Sequence, residues 1–150
     1  MDNIKIKLSI ISNLPELLPL VHAYHEFEGI RLSEDECVSA VETLLTDNVR
    51  GGIWLIYLNE NLVGYIVLCV GFGIEFAGLD AFIDEFYISP AFRGTGIGTK
   101  VLQLIKTEAK KLNIRAIHLE VSLTNIKAQK LYTNAKFIAR DQYMLMSCKI

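Results

Sequence analysis

The first third of the chain changes from a two-residue to a helical spacing of apolar positions. Residues 4–10 alternate between apolar and polar side chains, which predicts a half-buried strand. Ser12 and Asn13 then precede a run with helical spacing, where they suit the start of a helix. The four residues from Ser33 to Glu36 have the form of a capping box, which predicts the start of a second helix.

The middle of the chain is rich in β-branched and aromatic residues. Ile53–Leu58 predicts a strand, Asn59–Asn61 a turn, and Leu62–Val70 the second strand of the hairpin. Phe82–Ile88 predicts a further strand, which Pro90 stops.

The last third returns to helical spacing and then alternates again. Ile97–Leu112 predicts a helix that Asn113 ends, Ile117–Leu123 a strand, and Ala128–Ala135 a short helix. At its end Asn134 is a candidate for a left-handed residue. Two β-rich segments close the chain as predicted strands: Phe137–Ala139 and Tyr143–Cys148.

The predicted order is β-α-α-β-β-β-α-β-α-β-β, so the fold class is mixed α/β. The strand–helix–strand unit from Phe82 to Leu123 implies a right-handed parallel crossover at the centre of the sheet. Neither a linker rich in Pro, Gly or Ser nor an internal repeat divides the sequence. We therefore expect one domain over residues 1–150.

Composition narrows the class of partner. The 150 residues carry 15 Lys+Arg against 17 Asp+Glu, a net charge of −2, which argues against a nucleic-acid binder. Apolar residues make up 51% and favour a full core. The longest uncharged apolar run, Leu62–Ile74, is shorter than the about 20 residues of a membrane span, so no membrane partner is expected. The apolar excess and the strand-rich C-terminus favour a homodimer.

Cysteine usage and the N-terminus bear on the compartment. Cys37, Cys69 and Cys148 are an odd number at wide spacing, which predicts neither a disulfide framework nor a zinc site. The first residues lack a basic start followed by an apolar stretch, so no secretory signal is expected. We therefore expect a cytoplasmic protein.

The segment Arg93–Lys100 carries the most specific chemical signal. It follows a predicted strand and opens a predicted helix, where glycines allow backbone N–H groups to approach a phosphate. A tight turn without a ligand is the alternative interpretation. The dinucleotide fingerprint fails because Thr99 stands where its third glycine belongs, and a P-loop fails because Lys100 does not follow a glycine.

With the residues Phe86–Pro90 before it, this glycine turn resembles the acetyl-CoA motif of the GNAT N-acetyltransferase superfamily. Downstream, Leu119–Val121 with Asn125, Ala128 and Leu131–Tyr132 resembles the second signature of that family. The two signatures occur in the right order over about 55 residues. The resemblance implies a single-domain GNAT-like acyl-CoA N-acyltransferase fold. Its sheet is central, mixed and mostly antiparallel, with helices on its faces and a splayed parallel strand pair at the centre.

The resemblance also implies how acetyl-CoA, the expected cosubstrate, is held. Pantetheine is expected to pair with the main chain of Phe86, Tyr87 and Ile88, with the Ile88 N–H near the thioester oxygen. Asn125 is expected to contact the coenzyme by its side chain, and Lys100, Lys127 or Lys130 to meet the adenosine phosphate. The pyrophosphate is expected on the amides of Arg93, Gly94, Thr95, Gly96, Ile97, Gly98 and Thr99.

Three residues are candidates for proton transfer: Tyr132, Asp84 and Glu85. Tyr132 matches the family position that protonates the leaving thiolate, and a core tyrosine is the alternative. An acid near Asp84 serves the amine in similar family members, directly or through water. Because neighbours on a strand point to opposite faces, only one of Asp84 and Glu85 is expected to face the site, with Asp84 preferred.

The remaining acidic residues, histidines and cysteines bear on the acceptor substrate, on a metal site and on a covalent intermediate. Glu26, Glu28 and Glu34–Glu36 form an acidic cluster in the region that shapes the acceptor cleft in this family, which favours a cationic amine. A solvated helix start is the alternative interpretation. His22, His25 and His118 lack the spacing of a metal site and are expected to be surface or core residues. No cysteine has a basic neighbour that indicates a thiolate nucleophile, so no acyl-cysteine intermediate is expected.

These residues predict an N-acetyltransferase that transfers the acetyl group of acetyl-CoA to a primary amine, a small cationic molecule, by direct attack in a ternary complex. A non-catalytic acyl-CoA-binding or sensory module is one alternative, and it predicts coenzyme binding without turnover. Acetylation of a protein N-terminus or lysine is another, and it predicts a groove of peptide length. The thioester is expected in a cleft beside Tyr132, and no metal is expected.

Overall fold

The computed structural model describes residues 2–150, which divide into two parts, the first ending at Glu120 and the second running from Val121 to Ile150. Short 3-10 turns at Ile11–Asn13 and Pro90–Phe92 precede α1 and α3. The elements of the first part are β1 (Ile4–Leu8), α1 (Leu14–Glu28), α2 (Glu34–Thr46), β2 (Gly51–Leu58), β3 (Asn61–Gly73), β4 (Gly78–Ile88), α3 (Ile97–Lys111) and β5 (Ala116–His118). The second part contains α4 (Ile126–Asn134).

Local sequence signals set several of these boundaries. The capping box that starts α2 is confirmed: Ser33 Oγ accepts from the Glu36 N–H, and Glu36 accepts from the Ser33 N–H. The β2–β3 hairpin turns at Asn59 and Glu60, which both have positive φ, as a tight hairpin turn requires. Among residues 2–150, no helix is long and apolar enough to cross a membrane.

The five strands form one mixed sheet in the order β1-β2-β3-β4-β5, which confirms the mixed α/β class. All neighbours are antiparallel except β4 and β5. The parallel pair lies at the β5 edge of this sheet, whereas we expected it at the centre. It joins Asp80–Phe82 to Ala116–His118, so β5 is shorter than the predicted strand Ile117–Leu123.

Helices cover both faces of the central strands. The core on one face combines side chains of α1 and α2 with alternate residues of three strands: Leu17, Val21, Cys37, Val41, Leu45, Ile53, Leu55, Tyr65, Val67 and Tyr87. The intervening strand residues Trp54, Ile56, Ile66 and Leu68 are buried too. Strands buried on both faces read as continuous apolar runs, which is why β2 and β3 show little alternation.

Two predictions for the C-terminal region are wrong. Phe137–Ala139 and Tyr143–Cys148 have no strand structure, because β propensity is local whereas a strand exists only with a hydrogen-bonded partner. The left-handed residue after α4 is Lys136, with φ 72°, and not Asn134, which is the last residue of the helix. The chain therefore places a lysine where glycine carries less strain.

Candidate active site

The turn before α3 is open around its two glycines. Gly94 and Gly96 have φ of 77° and 86°, and a Cβ atom at either position would meet nothing within 4 Å. The first N–H groups of a helix have no intrahelical partner and are often capped by a side chain. Gly96, the N-cap of α3, has no side chain to accept a hydrogen bond from them. Thr95 donates its hydroxyl back to the Phe92 carbonyl at 2.9 Å, which fixes the turn. This arrangement suits an anion.

One edge of β4 lies next to this turn and extends beyond its parallel partner. Pairing with β5 stops at Phe82, and within residues 2–150 no other strand of the sheet pairs with the rest of β4 on that side. The Ser89 N–H donates to the Val63 carbonyl, and hydrogen bonding alternates along an antiparallel ladder. The N–H and C=O groups of Phe86 and Ile88 therefore point away from β3, whereas those of Tyr87 belong to the ladder.

The Arg93 side chain folds back over this edge. Its Nε donates to the Ile88 carbonyl at 2.7 Å. The guanidinium also lies 5.4 Å from the centre of the Tyr87 ring and 5.6 Å from that of Phe27, within the range of cation–π attraction. Arg93 thus links α1, β4 and the glycine turn by its side chain, in addition to the amide role predicted for it.

A β-bulge in β4 removes the expected separation of Asp84 and Glu85. Glu85 pairs with Val67, the next β3 residue pairs with Ile83, and Asp84 is the extra residue between them. Both carboxylates act on one neighbour, since burial together with Asp84 and Glu85 raises the pKa of the Cys69 thiol to about 11. Strict alternation therefore does not decide which of the two acids faces the site.

The two acids differ in their partners. Glu85 Oε1 accepts from the Tyr65 hydroxyl at 2.8 Å, and Oε2 lies 2.6 Å from Nε2 of His25. The Asp84 side chain reaches solvent, yet the protein atoms crowded around it raise its pKa above the ordinary range, against the opposing effect of His25. A carboxyl group with a raised pKa beside a histidine is a candidate for proton transfer.

A pocket of about 210 Å³ lies against the same histidine, and we call it the α1–α2 pocket. His22, His25, Glu26 and Glu34 supply its polar lining, and Ile30, Leu32 and Cys37 the rest. His22 Nε2 and Glu34 Oε2 are 2.9 Å apart. Glu26 and Glu34 belong to the predicted acidic cluster, whereas Glu28, Asp35 and Glu36 do not line the pocket.

Two predicted residues lie in the second part of the chain. Asn125 is the N-cap of α4, where its Oδ1 accepts from the Ala128 N–H at 3.0 Å, so its amide NH2 is the group left for a ligand. The Tyr132 ring packs edge-on against Phe137 at 5.9 Å within the same part.

His25 and Tyr65 are the residues that sequence reasoning did not assign to the site. Tyr65 reads as one apolar residue of a buried strand, and His25 is 60 positions from its partner Glu85. The other two histidines also face carboxylates, His118 at 3.3 Å from Asp80. No group of three or more His, Cys, Asp or Glu residues within positions 2–150 is arranged to hold a metal ion.

The chain is similar to known acetyltransferases. The sequence pattern of the "Acetyltransferase (GNAT) family" matches residues 17–137. Over 93 residues the chain is 31% identical to the uncharacterized N-acetyltransferase YycN of Bacillus subtilis (strain 168), covering 61% of the chain and 58% of the relative. Over 71 residues it is 31% identical to thialysine N-epsilon-acetyltransferase of Mus musculus, and the match covers 43% of the chain and 42% of that relative. The chain spans about half the length of these curated relatives.

A solved structure agrees over nearly the whole chain. It is the crystal structure of an integron cassette protein from the mobile metagenome of Cole Harbour Salt Marsh. The two share 31% sequence identity with a TM-score of 0.83, over 95% of this chain and 89% of that protein.

Proposed function

The chain belongs to the acetyltransferase (GNAT) family, and from this premise we propose that it transfers the acetyl group of acetyl-CoA to a primary amine on a small cationic molecule. The transfer is direct, in a ternary complex of protein, acetyl-CoA and amine. The observation that carries the proposal is the open turn at Gly94 and Gly96, where an added Cβ would meet no protein atom within 4 Å. An anion binds there without competition from a capping side chain.

Acetyl-CoA as substrate fits two features of the first part. The Arg93 N–H already donates to the Pro90 carbonyl, so the diphosphate binds the amides from Gly94 to Thr99, where the α3 N-terminus adds about half a positive charge. The pantetheine arm binds along β4 through the main-chain groups of Phe86 and the Ile88 N–H, beyond the point where β5 pairing stops, while the Ile88 carbonyl accepts from Arg93. The Ile88 N–H then faces the thioester oxygen, where negative charge develops as the amine attacks.

The acceptor binds as a cation near Asp84 and Glu85. Carboxylates at Glu26 and Glu34 line the adjacent α1–α2 pocket and attract an ammonium group. An aliphatic amine has a pKa near 10.4 and attacks only after it loses a proton, and the β4 acids serve this deprotonation directly or through water. The mouse relative is named for acetyl transfer to the N-epsilon position of thialysine, which supports an amine acceptor.

After the acetyl group is transferred, the leaving sulfur needs one proton from an acid. The neutral amine forms the C–N bond, the C–S bond breaks, and the sulfur leaves as a thiolate. Tyr132 gives this thiolate a proton, because a phenol with a pKa of about 10 suits a sulfur base of similar strength. The amide nitrogen releases its second proton, which restores the phenol.

Thiol release from acetyl-CoA with a panel of amines tests the proposal. We expect turnover with small diamines or other cationic amines, and little with neutral amines of the same size. A peptide panel in parallel separates a protein acceptor from a small one. Absence of turnover with every acceptor would contradict the enzymatic proposal, and tight acetyl-CoA binding without turnover would favour a sensory module.

A further inference from the structure

His25 is held between helix α1 and strand β4 by a carboxylate. Its side chain is 13% exposed, that of Glu85 is 16% exposed, and their nearest atoms are 2.6 Å apart. The second oxygen of Glu85 is occupied by the Tyr65 hydroxyl, and burial next to Glu85 raises the pKa of Tyr65 far above its ordinary value. Tyr65 is therefore always a donor, and both Glu85 oxygens are engaged. The Glu85 carboxylate is thus held by His25 on one oxygen and by Tyr65 on the other.

The hydrogen bond also fixes which ring nitrogen of His25 is basic. An ionised carboxylate only accepts, so Nε2 carries the hydrogen toward Glu85 and Nδ1 carries the lone pair of the neutral ring. Nδ1 has no hydrogen-bond partner within residues 2–150. His25 also lines the α1–α2 pocket, whose acids attract the ammonium group. The ring thus joins the pocket to the Glu85 carboxylate.

We propose that His25 takes the proton from the acceptor amine, with Glu85 and Tyr65 as the positioning residues behind it. The inference rests on the proposed acetyltransferase function and names how Glu85 serves the amine in it. The ammonium group transfers one proton to Nδ1, and the imidazolium that forms is paired with the Glu85 carboxylate. The neutral amine then attacks the thioester, and the imidazolium later releases its proton to water. Asp84 attracts the ammonium group and does not accept the proton.

Imidazole suits this step better than a carboxylate. Its ordinary pKa near 6.5 is closer to neutral pH than that of a carboxyl group near 4, so it is a stronger base that is still partly neutral. The pH dependence of His25 also includes the titratable groups near it and near its partner Glu85, on four elements. They are His22, Tyr24 and Glu26 on α1, Glu34 and Cys37 on α2, Tyr65 and Cys69 on β3, and Asp84 and Glu85 on β4.

Steady-state kinetics of His25→Gln over pH 5–9 test the inference, with His22→Gln as the matched control in the same helix and pocket. Glutamine keeps a donor for Glu85 but cannot be protonated. We expect kcat at pH 7 to fall by roughly 10²-fold or more and its acidic limb to disappear, with the acetyl-CoA Kd changed less than about twofold. His22→Gln is expected to keep the acidic limb.

A second variant covers the case in which His25→Gln fails to fold, which thermal unfolding reports. Glu85→Gln removes the charge behind the ring, so the acidic limb of kcat should move to lower pH by about one unit. The inference is overturned if His25→Gln keeps its acidic limb, if Glu85→Gln leaves the limb in place, or if Asp84→Asn alone abolishes it. Lack of turnover in the unchanged protein with every amine contradicts the proposed function instead.

Discussion

The hydroxyl of Tyr65 donates to Oε1 of Glu85 at 2.8 Å inside the sheet–helix interface. Tyr65 is fully buried, and Glu85 nearly so. A hydrogen bond between a neutral donor and a buried carboxylate contributes more to stability than one between neutral groups. The bond therefore fixes the carboxylate that faces His25 and couples the core of the protein to its candidate site.

Tyr65→Phe keeps the ring and removes this donor. We expect the free energy of unfolding to fall by about 1.5–3 kcal/mol, which calorimetry or thermal unfolding measures as a lower Tm. Because Glu85 then attracts the imidazolium more strongly, the acidic limb of kcat should move to higher pH. Exposed Tyr143→Phe is the control, and an equal Tm for Tyr65→Phe and the unchanged protein would contradict the account.

Asp84→Asn tests the environment of the bulged acid. The unfolded chain has an ordinary Asp pKa of about 3.9, and the folded pKa is raised, so the folded protein binds this proton more tightly. This contribution to stability is present below pH 3.9 and is lost as pH rises through the folded pKa. Asp84→Asn should therefore raise the free energy of unfolding at pH 7, and with it Tm, by less than about 1 kcal/mol of free energy because solvent reaches the side chain.

The same variant has a kinetic signature. Loss of the charge that attracts the ammonium group should raise KM for the amine more than it lowers kcat. Thermal unfolding from pH 3 to 8 and kinetics at pH 7 provide both readouts. A variant that is less stable than the unchanged protein at pH 7 would show that Asp84 is stabilised as a carboxylate, against the expectation.

Gly96→Ala tests the anion-binding turn, with Gly29→Ala as its matched control. Both glycines have positive φ, 86° and 70°, and neither would place a Cβ within 4 Å of protein atoms. Each substitution should cost about 1 kcal/mol of backbone strain. Only Gly96→Ala should also weaken acetyl-CoA binding, because its methyl group stands where the diphosphate approaches the amides. Equal effects of the two variants on acetyl-CoA affinity would contradict this role.

Tyr132→Phe tests the proposed acid. Loss of the phenolic proton should lower kcat by roughly 10²-fold, because the thiolate then takes its proton from water. The acetyl-CoA Kd, from calorimetry, should stay within about twofold, since the ring is retained. Equal losses of turnover and affinity would indicate a tyrosine that shapes the fold of α4, where its ring packs on Phe137.

The elements that could be predicted from the sequence are those that depend on neighbouring residues. The Ser33 capping box, the Asn59–Glu60 turn and the glycine turn before α3 each depend on a few neighbouring residues, and each has the predicted form. The prediction that a helix ends near Asn113 is also correct: α3 ends at Lys111, and Asn113 has a positive φ of 61°. At these positions the neighbouring residues are sufficient to predict the local structure.

The site depends on relationships that local patterns do not contain. The bulge at Asp84 exists only relative to the register of β3, so alternation along β4 alone does not decide which of Asp84 and Glu85 faces the site. The contact of His25 with Glu85 joins residues 60 positions apart. The predicted C-terminal strands fail for the same reason, because strand pairing requires a partner that local β propensity does not specify.

Calorimetric titration of the unchanged protein with acetyl-CoA, beside acetyl-pantetheine, tests the central claim most directly. Acetyl-pantetheine keeps the thioester and the arm proposed to lie along β4, but it lacks the diphosphate assigned to the amides at Gly94 and Gly96. We predict that acetyl-CoA binds and that acetyl-pantetheine binds at least about tenfold more weakly, a difference of about 1.4 kcal/mol. Equal affinity for both compounds, or no binding of acetyl-CoA, would contradict the account.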